Sequence, residues 1–219
     1  MMTTFTKLKF FAAASAAVIT LAQGAPVIAQ TAWDMATPYP DAEFHTKNIV
    51  QFAQDVSDAT SGQLNITVHA GSSLFKHPEI KRSVQNQFVP IGEVLMANLF
   101  NEDPIFGADN IPFIATTYED AKKLWDAQRP MVEAKLADDG IRLLYAVPWP
   151  GQGFYTNKTL ASGSDFEGMR FRTYNATTAR MAELLGAAPT TVEAVEIPQA
   201  FSTGIVDAMV TSAPTGVRT

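Results

Sequence analysis

The chain has 219 residues, no cysteine, and 16 basic against 22 acidic side chains, for a formal charge of −6. That acidity, with no basic run carrying interleaved aromatics, argues against nucleic acid or anionic headgroups as partners. Without disulfides the fold must rest on core burial, for which an apolar content of 47 % suffices.

Lys7 and Lys9 precede an uncharged run over 10–22 and small residues ending in Val27-Ile28-Ala29, the pattern of a secretory signal peptide cleaved after Ala29. Its apolar core is too short to span a bilayer. Removing 1–29 takes two lysines and no acid, so 14 − 22 gives −8 for the mature chain. An exported chain of this size without disulfides fits a bacterial periplasm.

The spacing predicts a strand over 32–36, then a helix capped by Asp41 with Ile49, Phe52, Ala53 and Val56 on one face and Gly62 as its stop. Leu64, Ile66 and Val68 alternate as a second strand, followed by a helix over 78–87 and an apolar strand over 94–97. Thr116 and Glu119 form a capping box for a helix carrying Ala121, Leu124, Trp125, Val132 and Leu136, kinked at Pro130. Residues 141–147 read as a buried strand. Pro148-Trp149-Pro150-Gly151 then marks a boundary, which gives a signal peptide (1–29), a first α/β domain (30–149) and a second, incomplete α/β domain (150–219).

In the second half Met169, Phe171 and Thr173 alternate with Arg170, Arg172 and Tyr174 as a strand, and Asn175 caps a helix that Gly186 ends. Arg172 thereby stands at a strand-to-helix junction, where orphan N–H groups and the helix dipole favour an anion. Arg170 is expected on the opposite face, at the surface. A short helix over 198–203, closed by Gly204, and a strand over 205–210 complete the pattern.

Other chemistries lack their residues. His45, His69 and His77 come no closer than eight positions, and there is no cysteine, so no local zinc spacing exists. Gly151-Gln152-Gly153 begins like a dinucleotide loop, but Thr156 stands where the third glycine belongs. No Walker loop or G-x-S-x-G elbow is present. No metal or cofactor is expected.

From Gly71-Ser72-Ser73-Leu74, through Trp149-Pro150-Gly151-Gln152-Gly153 and Arg172 with Tyr174-Asn175-Ala176, to Pro198-Gln199-Ala200-Phe201 and Val206-Asp207-Ala208, the chain resembles DctP-type solute-binding subunits of TRAP (tripartite ATP-independent periplasmic) transporters. The resemblance implies two α/β domains closing over a ligand, with Arg172 gripping its carboxylate. It also implies delivery to the two membrane subunits of a sodium-driven permease, with no ATPase. Family members are longer, so Thr219 is expected to be an artificial end. Gln152 stands where the sialic-acid branch has a second arginine and Ser212 where it has an asparagine, which argues against a sialic acid; Trp149, Phe154 and Tyr174 near the expected cleft suggest a smaller organic acid with an apolar or aromatic body.

Each candidate has a plainer reading. On spacing alone a solvated strand-end arginine is the more economical account of Arg172, and the resemblance reverses that. Asn175 is a ligand contact or a helix cap. Gln152 offers an amide to ligand or satisfies backbone in its turn. Trp149 and Tyr174 pack on ligand or belong to the core. Glu196 matches a family acidic position or caps the 198–203 helix, and Ser212 lies at the mouth of the last strand. Glu93, Asn98 and Phe100 are open as contacts from the first half. The competing class is a secreted enzyme acting on a small carboxylate in the same cleft; a third is an interaction module without a pocket.

Overall fold

The computed structural model describes residues 30–217; the expected signal peptide lies outside the described residues. β1 (Thr31–Ala36), β2 (Leu64–His69) and β3 (Ile91–Gly92) form a parallel sheet in the order β2-β1-β3. Met35 pairs with both Val68 and Ile91, and with Ile49 of α1 (Phe44–Ala59) it makes the core of this sheet. α2 (His77–Gln85) packs Ile80, fully buried, against β3. α3 (Tyr118–Asp138) runs through Pro130 and closes a separate apolar cluster of Phe106, Val132 and Leu136.

The second sheet contains β4 (Gln152–Thr156), β5 (Arg170–Thr173), β6 (Ala188–Thr191) and β7 (Ala208–Ser212) in the order β4-β7-β5-β6, with β4 antiparallel to β7. α4 (Ala176–Leu184) connects β5 to β6, and α5 (Ile197–Ser202) lies between β6 and β7. Central β5 is covered on both faces. Phe171 pairs with Ala208 and packs with Phe166, Met169 and Val210, whereas Arg172 pairs with Met209, whose neighbours are Val192, Ile197, Ala200 and Val206.

Both sheets place one successor of a strand on each side of it: β2 and β3 flank β1, and β6 and β7 flank β5. At such reversals the connections diverge and leave a crevice beyond the carboxyl ends of the strands. The site described below lies at these two ends.

Several local expectations are corrected. α1 is capped by Glu43, not Asp41, because the Glu43 N–H returns to the Pro40 carbonyl and holds 40–43 as a turn. The α3 cap is Thr117 with Asp120, one residue beyond the expected pair: Thr117 Oγ1 accepts the Asp120 N–H at 3.1 Å. No strand forms over 94–97. The Leu95 N–H donates to His77 Nε2 at 2.9 Å, diverting the backbone from the ladder, and Met96–Leu99 forms a 3-10 turn. Residues 141–147 have no ladder partner among the described residues; Ile141 and Leu143 pack on the α3 cluster instead. The last strand starts at Ala208, since the N–H groups of Ile205 and Val206 both turn back to the Ala200 carbonyl and close α5. Arg170 is at the surface, yet on the same face as Arg172, as a period of two requires. The difference is coverage: Arg170 stands at the open start of β5 and pairs with Asp207 at 2.5 Å.

Gly92 marks the tightest approach in the first sheet. A Cβ there would lie 2.6 Å from Ile80 Cγ2 and 3.3 Å from Val84 Cγ2. Since Ile80 is fully enclosed, Gly92→Ala is expected to destabilise the fold by about 1–3 kcal/mol through overpacking. Urea denaturation measures this, and an unchanged midpoint would show that α2 can yield.

Candidate ligand-binding site

Tyr39, just past β1, the turn containing Leu95 and Asn98, and Trp149 supply one wall of a cavity; Arg172, Tyr174, Glu193, Thr211 and Ser212 supply the other. The space is about 510 Å³ including its mouth. Five of the expected contacts therefore converge: Trp149, Gln152, Arg172, Tyr174 and Ser212.

Arg172 is only 4 % exposed. Its Nε donates to the Val192 carbonyl at 2.9 Å and Nη1 to the Val210 carbonyl at 3.4 Å, which fix the guanidinium plane between β6 and β7. Cζ stands 5.2 Å from the centre of the Tyr174 ring. Among the described residues no carboxylate comes within 4.0 Å of this guanidinium. Burial lowers its pKa from 12.5 to about 10, so it remains a cation at neutral pH. Glu193 attracts it from a distance without a direct ion pair, and a buried charge compensated only in this way is costly to hold.

The neighbours of Arg172 in the cavity are an acid and a phenol. Glu193 is held below its ordinary value chiefly by its hydrogen bond with His77, whose Nδ1 is 3.5 Å away. His77 Nε2 accepts the Leu95 N–H, so the imidazole proton sits on Nδ1. Burial pushes Tyr174 up to about 12, leaving its hydroxyl a neutral donor. That hydroxyl lies 3.4 Å from Asn110 Oδ1 and 3.5 Å from Gln152 Oε1, tying the two walls together.

Trp149 packs edge-on to Tyr39 at 5.1 Å and stands 4.1 Å from the His45 ring, closing the floor with aromatic surface. Gln152 Nε2 donates to the Pro150 carbonyl at 3.1 Å, which satisfies its own turn. Asn175 caps α4: its Oδ1 accepts the Thr178 N–H at 2.9 Å, and it lines a neighbouring cavity beside Phe100 rather than the one around Arg172. Glu196 lines neither cavity. Its carboxylate accepts the Glu193 N–H at 3.4 Å, so it braces the 3-10 turn before α5 and does not cap α5 with its side chain. Asn98 lines the cavity; Glu93 does not, and instead accepts from Thr37 Oγ1 behind it.

Tyr39, His77, Leu95, Glu193, Ala194, Thr211 and Thr215 complete the lining and were not anticipated. The register could have located Glu193: β6 pairs with β5 up to Thr173, so the residues just past Thr191 emerge beside the Arg172 end. Pro189 in β6 concealed that strand.

Three solved structures are similar over most of the chain. DctP7 of Bordetella pertussis, an extracytoplasmic solute receptor binding pyroglutamic acid, is 51 % identical with a TM-score of 0.84 over 85 % of this chain and 62 % of its own. DctP6 of the same organism, also binding pyroglutamic acid, is 45 % identical with a TM-score of 0.84 over 86 % and 62 %. A marine metagenome TRAP solute-binding protein specific for pyroglutamate is 48 % identical with a TM-score of 0.83 over 86 % and 62 %. The chain thus spans 62 % of the length of each. Residues 35–216 match DctP, bacterial extracellular solute-binding protein family 7, and the chain belongs to that family.

Proposed function

We propose that this protein is the extracytoplasmic receptor of a TRAP transporter, holding a small organic acid by its carboxylate and delivering it unchanged to the membrane permease. One observation carries the reading: Arg172 is buried and charged in the wall of a cavity at the carboxyl ends of the strands, attracted by Glu193 across that cavity but with no direct ion pair among the described residues. A carboxylate supplies the missing charge, and the planar guanidinium can meet both of its oxygens. Trp149, Tyr174, Gln152 and Ser212 are proposed as further contacts. Asn175 and Glu196 are not proposed as contacts: the first caps α4 and the second braces the turn at Glu193.

The ligand proposed is pyroglutamate, a five-membered lactam acid, because the three similar receptors bind it and the aromatic floor suits a compact ring. Residence in the periplasm is proposed from the family and from residues 1–29. Enzymatic turnover finds no support in a family of receptors. Native mass spectrometry of the full-length protein tests this: a copurified acid of pyroglutamate mass, released chemically intact, is expected. A protein that carries no acid and shows no heat of binding with any small carboxylate would contradict it.

A further inference from the structure

We infer that Asn98 and Ser212 form the specificity pair of the site, with Asn98 donating to the lactam carbonyl of the ligand and Ser212 Oγ accepting its ring N–H. This rests on the carboxylate reading above and adds which edge of the molecule the receptor reads.

Two buried polar atoms in the cavity wall have no partner. Ser212 is 2 % exposed, and its Oγ makes no hydrogen bond; Asn98 Oδ1 is likewise buried and unpaired. Both residues line the cavity that holds Arg172. Asn98 comes from the 3-10 turn beyond β3 and Ser212 from the end of β7, so they approach from opposite walls. Enclosed groups of this kind are nearly always satisfied, and because both residues line one cavity, a ligand seated there is the partner we assign to them.

His77 settles which Asn98 atom is the donor. Its Nε2 accepts the Leu95 N–H, so its Nδ1 bears the proton. That one proton is shared between Glu193 Oε2 at 3.5 Å and the Asn98 amide at 3.3 Å, and since an NH2 group finds no acceptor at a protonated nitrogen, we orient Asn98 with its carbonyl oxygen toward the imidazole. The amide nitrogen becomes the unpaired atom. A five-membered lactam carries C=O and N–H on one edge, cis to each other, and needs one donor and one acceptor. The Asn98 amide supplies the first, the Ser212 hydroxyl the second. Arg172 takes the carboxylate.

Three acids of nearly equal size separate the terms: pyroglutamate, the corresponding γ-lactone acid, which keeps C=O but lacks N–H, and cyclopentanecarboxylate, which has neither. Calorimetry on the full-length protein is expected to rank them in that order, each step about tenfold or more. Ser212→Ala should weaken pyroglutamate about tenfold and leave the lactone unchanged. Asn98→Leu should weaken pyroglutamate and the lactone but not cyclopentanecarboxylate, with thermal melting confirming that the fold persists. A wild type that binds all three alike, or variants that weaken all three equally, overturns the lactam assignment and leaves the carboxylate reading intact. A wild type that binds none of them overturns the lactam assignment, and the carboxylate reading falls with it only if no other small carboxylate gives a heat of binding.

Discussion

Replacing Arg172 with alanine or methionine abolishes most ligand binding, by about 30-fold to several-thousand-fold in Kd, the range seen when one partner of a buried charge pair is removed. The fold survives. Arg172 has no ion pair to lose among the described residues, and its charge stands in an enclosed site. The depression of its pKa from 12.5 to about 10 corresponds to about 3 kcal/mol of desolvation cost. Methionine removes that cost, along with two bonds to backbone carbonyls, so the ligand-free variant should melt at or above the wild-type temperature. Arg172→Lys keeps a charge but not the fork, and falls between the two. Arg170→Ala is the control: that side chain is exposed, paired with Asp207 outside the cavity, and its loss should leave affinity and melting unaltered. Calorimetry and thermal melting read both properties. An Arg172→Met protein that binds as the wild type does, or that fails to fold, would contradict this account.

Stability should respond to pH in two opposing parts, both arising from the floor beneath the cavity. Burial pushes the Glu93 carboxyl from 4.5 up to about 7, with nearby Glu43 adding to the rise and the Thr37 hydroxyl opposing it. Burial holds His45, 3.8 Å away, down from 6.5 to about 4. Between pH 4.5 and 7 folded Glu93 keeps a proton that the unfolded chain has released, so its contribution falls as pH rises. Between pH 4 and 6.5 unfolded His45 takes up a proton that the folded state refuses, so its contribution rises with pH. The two slopes nearly cancel from 4.5 to 6.5, and above 6.5 the decline from Glu93 remains.

Glu93→Gln retains an acceptor for Thr37 and removes the ionisation. It should gain about 3 kcal/mol at pH 8 relative to the wild type and expose the His45 slope, with stability rising from pH 4 to 6.5. His45→Phe should expose the converse, a steady decline from pH 4.5 to about 7. Urea unfolding at a series of pH values measures all three proteins. A Glu93→Gln variant with the wild-type profile would show that this carboxyl is ionised and solvated in the folded state.

The order of elements was readable because the central strands carry their signal locally. Leu64, Ile66 and Val68 alternate with polar residues, and Asn175 and Gly186 bracket α4 with cap chemistry that needs no tertiary partner. β4 and β6 were not readable. Both are edge strands of the second sheet, where Gly153 and Pro189 are tolerated because one side of the ladder is open, and neither residue type signals a strand in sequence. Residues 141–147 show the opposite error, an apolar run with strand character that has no ladder partner among the described residues.

The site divides in the same way. Arg172 was legible because a strand, a cap and an arginine meet within four residues, and family resemblance supplied the role. The first wall was not legible, since Tyr39 follows β1, His77 opens α2 and Asn98 sits in the 3-10 turn beyond β3, and their approach depends on the β2-β1-β3 order. Glu196 drew attention that belongs to Glu193: two glutamates three residues apart look alike in sequence, and only the β6 register brings one of them to the cavity.

Titration of the full-length protein with L-pyroglutamate and with its neutral carboxamide, at pH 7 in one calorimeter, tests the central claim most directly. The two ligands share ring, size and lactam edge and differ only in the charge offered to Arg172. The acid should bind at micromolar affinity or tighter, and the carboxamide at least about 100-fold more weakly. Equal binding of the two would contradict the claim that the buried Arg172 guanidinium holds the ligand by its negative charge.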